Sequence, residues 1–561
     1  MARPSVILRF PARIRRAHSS NSPTRFGRSN ILAPSCANLV NFAFSVNFFS
    51  TPMHAIPVID LFAGPGGLGE GFASIRDRNG EPTFDIRLSI EKDPIAHRTL
   101  ELRSFFRSFR DNPPADYYRY LRGELNREEL FSDKRFSRNR THATEEAWCL
   151  ELCEANRAAV GKRVKAALHG ADEWVLIGGP PCQAYSLAGR SRMRSADPEL
   201  FEQDKRHFLY REYLRIIAEH QPPVFIMENV KGLLSSKMDG SPIFERILSD
   251  LTNPNGGKLH YRIVPLLQTE DLFERHRSDF LIRSEQFGIP QRRHRVILCG
   301  IRDDIRAEPG LLRQREPVTV DHALAGMPKL RSTLSKETDS HSAWKSALDE
   351  AATIFEKRTG ASFHDISVRM RQAAKSASRV KTTGSRFAAL DDFDSPETPA
   401  ARDLHKWVLD KRLNGVSNHE ARGHMRSDIH RYLFSASYAA IRDDTPRLRD
   451  FPRFLLPAHE NAFHAALGSD GAPFEDRFRV QLRHEPATTV VSHISKDGHY
   501  YIHPDPAQCR SLTVREAARL QTFPDNYFFE GNRTMQYHQV GNAVPPLLAR
   551  QIAEIVRDLI G

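Results

Sequence analysis

The sequence has few cysteines and no long apolar run. Its 561 residues include only 6 cysteines, which are too widely spaced for a disulfide scaffold and which suit a reducing compartment. No apolar stretch approaches the roughly 18 residues that would cross a bilayer. Its cysteines and histidines form no compact ligand pattern, so we predict no metal site. These absences favour a soluble protein without a membrane anchor.

The first 53 residues lack acidic side chains. They contain seven arginines and no Asp, Glu or Lys, and so contribute seven units of the formal net charge of +12. An Arg-rich, Ser-rich and acid-free composition is typical of a transit peptide, but Pro4 and Pro11 would interrupt the amphipathic helix that import requires. We favour the alternative that Met53 is the true start. A chain that begins there is expected to fold and to keep its activity.

From Val58 onward, predicted strands alternate with predicted helices. Short segments that are typical of strands occur at residues 58–62, 86–90, 175–177, 224–227 and 295–299, and those at 175–177 and 224–227 are wholly apolar. This alternation predicts an α/β fold of the Rossmann-like kind, in which a mostly parallel sheet carries helices on both faces. In such folds, ligands bind at the carboxyl ends of the strands.

A glycine-rich loop follows the first predicted strand. Gly64, Gly66 and Gly69 match the pattern G-x-G-x-x-G, which also occurs in dinucleotide-dependent oxidoreductases. Between a strand and a helix, such a loop suits any nucleoside ligand, because the glycines allow close approach and the helix start offers free N–H groups. Glu91, at the end of the second predicted strand, is placed to bond ribose hydroxyls. The loop alone therefore does not exclude a dinucleotide-dependent oxidoreductase.

A cysteine follows a rigid turn after the third predicted strand. The Gly-Gly-Pro-Pro turn at 178–181 would hold Cys182 at the mouth of a cleft, although an isolated cysteine is more often a small core residue. Glu228 emerges at the carboxyl end of the fourth strand. Arg293 and Arg295 are two positions apart at the start of the fifth predicted strand, so their side chains lie on one face. A thiol, a carboxyl group and two guanidinium groups on one rim are typical of an active site.

Five ordered motifs together resemble the cytosine-carbon-5 DNA methyltransferase family, which uses S-adenosylmethionine. They are DLFAGPGG, GGPPCQ, ENV, QRRHR and QVGNAVPP, and the resemblance extends from about residue 56 to the end. It implies that Cys182 is the nucleophile and that Glu228 protonates the cytosine ring. Arg293 and Arg295 would support the active site. The resemblance further implies a cofactor site lined by Phe62, Gly64, Gly66, Leu68, Glu91, Pro180 and Asn542.

The activity implied by the resemblance is methylation of carbon 5 of cytosine in double-stranded DNA. It would proceed through a covalent cysteine adduct with the target base flipped out of the duplex. The expected setting is restriction-modification or DNA protection by a monomer in the bacterial cytoplasm, at the nucleoid, with a cognate restriction endonuclease as a candidate partner. A tRNA cytosine-5 methyltransferase of the same fold is the nearest alternative, and an oxidoreductase is a more distant one. An inactive DNA-binding relative is disfavoured because all the chemical residues are present.

Two stretches depart from the regular strand and helix alternation. The segment from Asp93 to Gly178 is long for the family, which predicts an inserted helical element and leaves Asp172 as the nearest candidate for the acidic residue beside adenine. Between Val318 and about Asp505 the alternation is lost, where the family inserts its target-recognition region. The expected organisation is a leader (1–53), a catalytic and cofactor-binding domain (54–330), a smaller irregular target-recognition domain (331–507) and a C-terminal segment that completes the catalytic domain (508–561).

Within the recognition region, a basic run is a candidate for contacts with DNA phosphates. It contains a flexible Thr-Thr-Gly-Ser segment and six basic residues without an intervening acid. The alternative for this run is a solvated charged face. The loop at 191–194 is a second candidate, as a loop that closes over DNA, and a solvated charged loop is its alternative. His419, His424 and His430 are expected to be ordinary polar residues. The basic residues are Arg369, Arg371, Lys375, Arg379, Lys381 and Arg386.

Overall fold

The computed structural model describes residues 55–181, 207–238, 241–268, 276–458 and 475–560. Met53, Cys182 and the 191–194 loop lie outside these ranges. Within them, the strands are β1 (Ile56–Leu61), β2 (Phe84–Glu91), β3 (Ala147–Cys149), β4 (Val175–Gly178), β5 (Val224–Val230), β6 (Lys237–Met238), β7 (Ser241–Pro242), β8 (Tyr261–Val264), β9 (Leu281–Arg283), β10 (His294–Arg302), β11 (Thr333–Leu334), β12 (Gly384–Ala389), β13 (Gly415–Glu420) and β14 (Gly423–His424).

Helices flank the sheet, and further helices build the segment between β10 and the C-terminal part. They are α1 (Gly67–Ala73), α2 (Pro94–Arg107), α3 (Ala115–Arg122), α4 (Arg127–Ser132), α5 (Ser137–Glu146), α6 (Arg157–Leu168), α7 (His207–His220), α8 (Ile243–Thr252), α9 (Val320–Leu324), α10 (His341–Arg358), α11 (His364–Ser376), α12 (Pro399–Val408), α13 (Arg426–Arg442), α14 (Val514–Leu520), α15 (Arg533–Asn542) and α16 (Pro546–Ile560). Within the described ranges, none of them combines the length and the apolarity needed to cross a membrane.

One large sheet has the order β3-β2-β1-β4-β5-β10-β8, and β9 also pairs with β10. The pairs β2–β3, β1–β2, β1–β4 and β4–β5 are parallel, whereas β10 runs antiparallel to β5, β8 and β9. All six residues of β1 are buried, as expected for a strand that is covered by helices on both faces. The predicted Rossmann-like α/β fold is therefore confirmed.

The strand register aligns the edge of the sheet where a ligand is expected. Leu61, the last residue of β1, lies opposite Ile90 of β2 and Gly178 of β4. Gly178 in turn lies opposite Met227 of β5. Because β10 is antiparallel, it begins at the same edge where β5 ends. The loops after β1, β2 and β4 therefore converge with the end of β5 and the start of β10.

The last helix of the chain packs against the first. A Cβ atom at Gly71 of α1 would lie 2.4 Å from the Cβ of Ala549 in α16, so only glycine allows this approach. The apolar stripe of α16 is buried in the same core as β1 and α1. Helix α1 begins at Gly67, within the glycine-rich motif itself. The C-terminal segment is thus an integral neighbour of the glycine loop.

The expected helical insertion is present between β2 and β4. Two buried tyrosines of its helix α3 bind later parts of the chain. The Tyr117 hydroxyl donates to the Asn526 carbonyl at 2.9 Å, and the Tyr118 hydroxyl donates to Asp410 Oδ2 at 3.0 Å. The insertion therefore packs against both the recognition region and the C-terminal segment.

Helix α14 begins with a capping box. Thr513 Oγ1 accepts from the Glu516 backbone N–H, and Glu516 Oε2 accepts from the Thr513 N–H at 2.7 Å. His419 of β13 lies against this cap, with Nδ1 2.9 Å from Thr513 Oγ1 and Nε2 3.0 Å from the Pro328 carbonyl. Burial lowers the pKa of His419 to about 4, so His419 is a neutral structural residue at neutral pH.

We expect the free energy of unfolding to fall as the pH drops from 6.5 to about 4. In that range the unfolded chain takes up a proton that folded His419 does not, because its folded pKa is the lower one. Each such histidine should cost about 1.4 kcal/mol per pH unit. Burial also lowers the pKa values of His424 and His503, which add to the slope.

Urea unfolding at a series of pH values measures this slope. The His419→Gln variant, which can still donate to a carbonyl, should be less stable at pH 7 but should show a shallower pH dependence. A variant with the same slope as the wild type would contradict the assignment. Below pH 4, the contribution of His419 is lost completely and the difference in slope should vanish.

Candidate active site

The loop after β1 has an unusual backbone. Phe62 has a φ of 56°, a left-handed conformation that is costly for a bulky residue and that is enriched at functional sites. Gly64 and Gly66 follow with φ values of 57° and 96°, which glycine adopts without strain. A Cβ at Gly64 would meet no heavy atom of the described residues within 4 Å. Open space therefore lies in front of this loop.

Glu91 braces the same loop from the end of β2. Its Oε2 accepts from the Gly64 N–H at 2.8 Å, and its Oε1 accepts from the Asp93 N–H at 2.7 Å. Burial raises the pKa of the Glu91 carboxyl. Each carboxylate oxygen can accept a second hydrogen bond, so Glu91 can also receive hydroxyl groups of a ligand.

The C-terminal motif lies on the other side of the loop. A Cβ at Gly67 would be 2.3 Å from the Val544 carbonyl oxygen, which places the junction of α15 and α16 directly against the start of α1. Asn542, the last residue of α15, is exposed. The side chain of Leu68, by contrast, is buried in the hydrophobic core, so only its backbone is available to a ligand.

Asp172 does not belong to this site. It is exposed and precedes β4, whereas the glycine loop follows β1. Because β1 and β4 are parallel, the two positions lie at opposite edges of the sheet, and the expectation for Asp172 is wrong. The acidic residue after β3 is Glu151, 3.3 Å from Lys92. Strand β3 has only three residues, too few to be recognised from an apolar pattern.

A carboxylate and a guanidinium meet beside the turn that leads to Cys182. Arg295 Nε lies 2.7 Å from Glu228 Oε1, and both side chains are 12% exposed. A Cβ at Gly179 would lie 3.1 Å from Glu228 Oε2, so this carboxylate contacts the turn itself. The carbonyl of Pro180 accepts from Asn229 Nδ2 at 3.4 Å. Cys182 follows Pro181, the last described residue of this segment.

Arg293 lies in a different environment from Arg295. It is fully buried, and its guanidinium donates to the carbonyls of Val490 at 2.8 Å and Gly541 at 3.1 Å. Burial lowers the pKa of Arg293, the Arg295 charge lowers it further and the Glu228 charge raises it. Arg293 therefore ties the segment around Val490 to α15.

The residues of the basic run lie in two different environments in the structure. Lys375, Arg379 and Lys381 are exposed on and after the end of α11. Arg386 is half-buried in β12, where its guanidinium lies 4.6 Å from the ring centroid of Tyr120 and donates to the Tyr120 carbonyl. Arg386 therefore holds the hairpin of β12 and β13 against the insertion.

Comparison with known proteins agrees with this geometry. Relatives include a type II methyltransferase of Bacillus paralicheniformis, 31% identical over 90% of this chain and 99% of its own length. A DNA (cytosine-5-)-methyltransferase of Aeropyrum pernix is 26% identical over 72% of this chain and 84% of its own length. A solved E. coli protein assigned as a prophage-encoded DNA modification methyltransferase shares the fold with a TM-score of 0.50 and 18% identity, covering 90% of this chain and 99% of its own. A model of the C-5 cytosine-specific DNA methylase family matches residues 162–557, and the chain belongs to this family.

Proposed function

We propose that the protein methylates carbon 5 of cytosine in double-stranded DNA, with Cys182 as nucleophile and Glu228 as the group that protonates the base. The observation that carries this assignment is the position of the Glu228 carboxylate, between Arg295 and the backbone of Gly179. A nucleophile three residues after Gly179 would act on the same cytosine ring as this carboxylate.

The residue types fit the chemistry of cytosine. Carbon 5 is too weak a nucleophile to attack a methyl sulfonium, so the Cys182 thiolate first adds to carbon 6 and moves electron density to carbon 5. Glu228 delivers a proton to ring nitrogen 3, which neutralises the charge that develops there. After carbon 5 is methylated, a base removes its proton and the Cys182 thiolate is eliminated. A base inside a duplex cannot be reached in this way, so the target is flipped out.

Arg295 orients the acid. Its Nε lies 2.7 Å from Glu228 Oε1, which leaves Oε2 as the oxygen on the side of Gly179. A guanidinium in this place limits the rotation of the carboxyl group. Arg293 acts through backbone carbonyls alone and is a positioning residue, because it holds Val490 and Gly541 in place.

The residues around the glycine loop fit the cofactor of the family. S-adenosylmethionine supplies an electrophilic methyl group when it is bound. The open space in front of Gly64, the strained Phe62 and the spare acceptor sites of Glu91 form a cradle for a nucleoside. Pro180, exposed Asn542 and the backbone of Gly66 and Leu68 complete the proposed lining.

We expect Glu91→Ala to weaken the binding of S-adenosylmethionine by roughly 1–3 kcal/mol. The substitution removes the proposed ribose contacts and also the brace on the Gly64 N–H. Isothermal titration calorimetry on the purified protein measures the change. Glu91→Gln keeps an oxygen that can accept from Gly64, and so its affinity should fall between wild type and Glu91→Ala. An unchanged dissociation constant for Glu91→Ala would show that the assignment is wrong.

The biological role that we propose is modification of DNA beside a restriction endonuclease that reads the same sequence. The protein would act as a monomer on nucleoid DNA in the bacterial cytoplasm. Bisulfite sequencing of DNA from bacteria that express the protein tests the function, and methylated cytosines should share one sequence context. Methylation found in tRNA instead of DNA would favour the RNA alternative, and no methylation in either would contradict the proposal.

A further inference from the structure

The hydroxyl of Tyr527 reaches the glycine loop from inside the core. Tyr527 is fully buried, and its hydroxyl donates to the carbonyl of Pro65. A Cβ at Gly66 would lie 2.9 Å from the same hydroxyl oxygen. The loop after β1 therefore rests on this side chain at two consecutive residues, Pro65 and Gly66.

Aromatic neighbours fix the ring of Tyr527. The ring centroids of Phe523 and Phe529 lie 4.8 Å and 5.6 Å from it, and the Arg103 guanidinium lies 4.7 Å from its centroid. Close packing on several sides leaves the ring no alternative position. The hydroxyl is therefore held in one position relative to the Pro65 carbonyl.

Arg103 is itself held by charged and polar partners. It forms a buried ion pair with Glu70 of α1, and its Nη1 donates to Asn526 Oδ1 at 2.9 Å. Asn526 Nδ2 donates in turn to Asp410 Oδ2 at 2.6 Å. A fully bonded buried network of this kind is rigid. It connects the support of the glycine loop to the recognition region.

We infer that Tyr527 is a positioning residue for S-adenosylmethionine, because it holds the Pro65 and Gly66 backbone in the shape that receives the cofactor. This inference rests on the proposed cofactor site. Tyr527 lies behind the loop and donates its proton to Pro65, so its effect on the cofactor passes through the loop backbone. Loss of the hydroxyl should change the binding of the cofactor but not the chemical step.

The test is Tyr527→Phe in the full chain, which keeps the ring and removes the hydrogen bond. The dissociation constant for S-adenosylmethionine, measured by calorimetry, should rise about five- to ten-fold, as expected for one hydrogen bond. The KM for the cofactor should rise by a similar factor. The kcat at saturating cofactor should stay within about two-fold of wild type.

Tyr261→Phe is a matched control. Tyr261 is also fully buried, and its hydroxyl donates to another proline carbonyl, that of Pro222, at 2.8 Å. It lies on β8, at the opposite end of the sheet order from β2 and β3. Both variants should lose similar thermal stability, but Tyr261→Phe should bind S-adenosylmethionine like the wild type.

The outcomes separate this inference from the proposed function. If both variants lose the same thermal stability and both bind the cofactor normally, Tyr527 is merely structural and the inference is overturned. If both weaken binding equally, the effect is global and the inference is likewise overturned. If the wild type itself binds no S-adenosylmethionine, the proposed function fails and the inference fails with it.

Discussion

Replacing Cys182 by serine is expected to abolish methyl transfer to DNA while leaving the fold and cofactor binding intact. Serine keeps the size of the side chain, but its hydroxyl is a far poorer nucleophile than a thiolate near neutral pH. Without addition at carbon 6, carbon 5 of cytosine cannot attack the methyl donor. Incorporation of labelled methyl groups into DNA measures the loss. Retention of substantial activity would refute the thiolate mechanism.

A trapped adduct distinguishes this mechanism from a general loss of activity. In DNA that contains 5-fluorocytosine, the fluorine at carbon 5 cannot be removed as a proton, so the cysteine adduct should accumulate and survive denaturation. Wild type should form this adduct, and Cys182→Ser should not. Cys153→Ser is the control, because it replaces a cysteine that has no role in the proposed reaction. Cys153 is half-buried and precedes a short turn at Glu154–Asn156. It should form the adduct like the wild type.

The parallel half of the sheet could be predicted because its strands are buried on both faces. Residues 224–227 form a continuous apolar run and residues 58–62 are apolar apart from Asp60, and β1 and β5 are found there with shifts of only a few residues. The antiparallel direction of β10 could not be predicted in this way, because an apolar run carries no information about direction. It is set by pairing with β5.

The local motifs of the site were easier to predict than the roles of single side chains. Arg293 and Arg295 look equivalent in sequence, since they alternate onto one face. Their difference depends on Val490 and Gly541, which are 197 and 248 positions away from Arg293 and accept its hydrogen bonds. The structural contact of Arg386 is hidden for the same reason, because its partner Tyr120 lies 266 positions earlier. Such long-range contacts are visible only in the folded structure.

We expect Glu228→Gln to lower the rate of methyl transfer by about 10²- to 10⁴-fold, the usual contribution of a positioned acid. The carboxamide keeps the shape of the side chain, but it cannot deliver a proton to ring nitrogen 3. It also leaves Arg295, whose Nε lies 2.7 Å from Glu228 Oε1, without its counter-ion. Single-turnover kinetics measure the chemical step. The affinity for S-adenosylmethionine should not change, because Glu228 lies beside Gly179 and not at the glycine loop.

Glu285→Gln is the matched control for this prediction. Glu285 Oε1 lies 2.8 Å from His294 Nε2, so it is also a carboxylate paired with a cation-forming residue near the start of β10. Its rate should stay within about two-fold of wild type. A Glu228→Gln rate above one tenth of wild type would contradict the acid role. Because protonation of nitrogen 3 assists addition of the thiolate, Glu228→Gln should also form the 5-fluorocytosine adduct more slowly, which places Glu228 at the same step as Cys182.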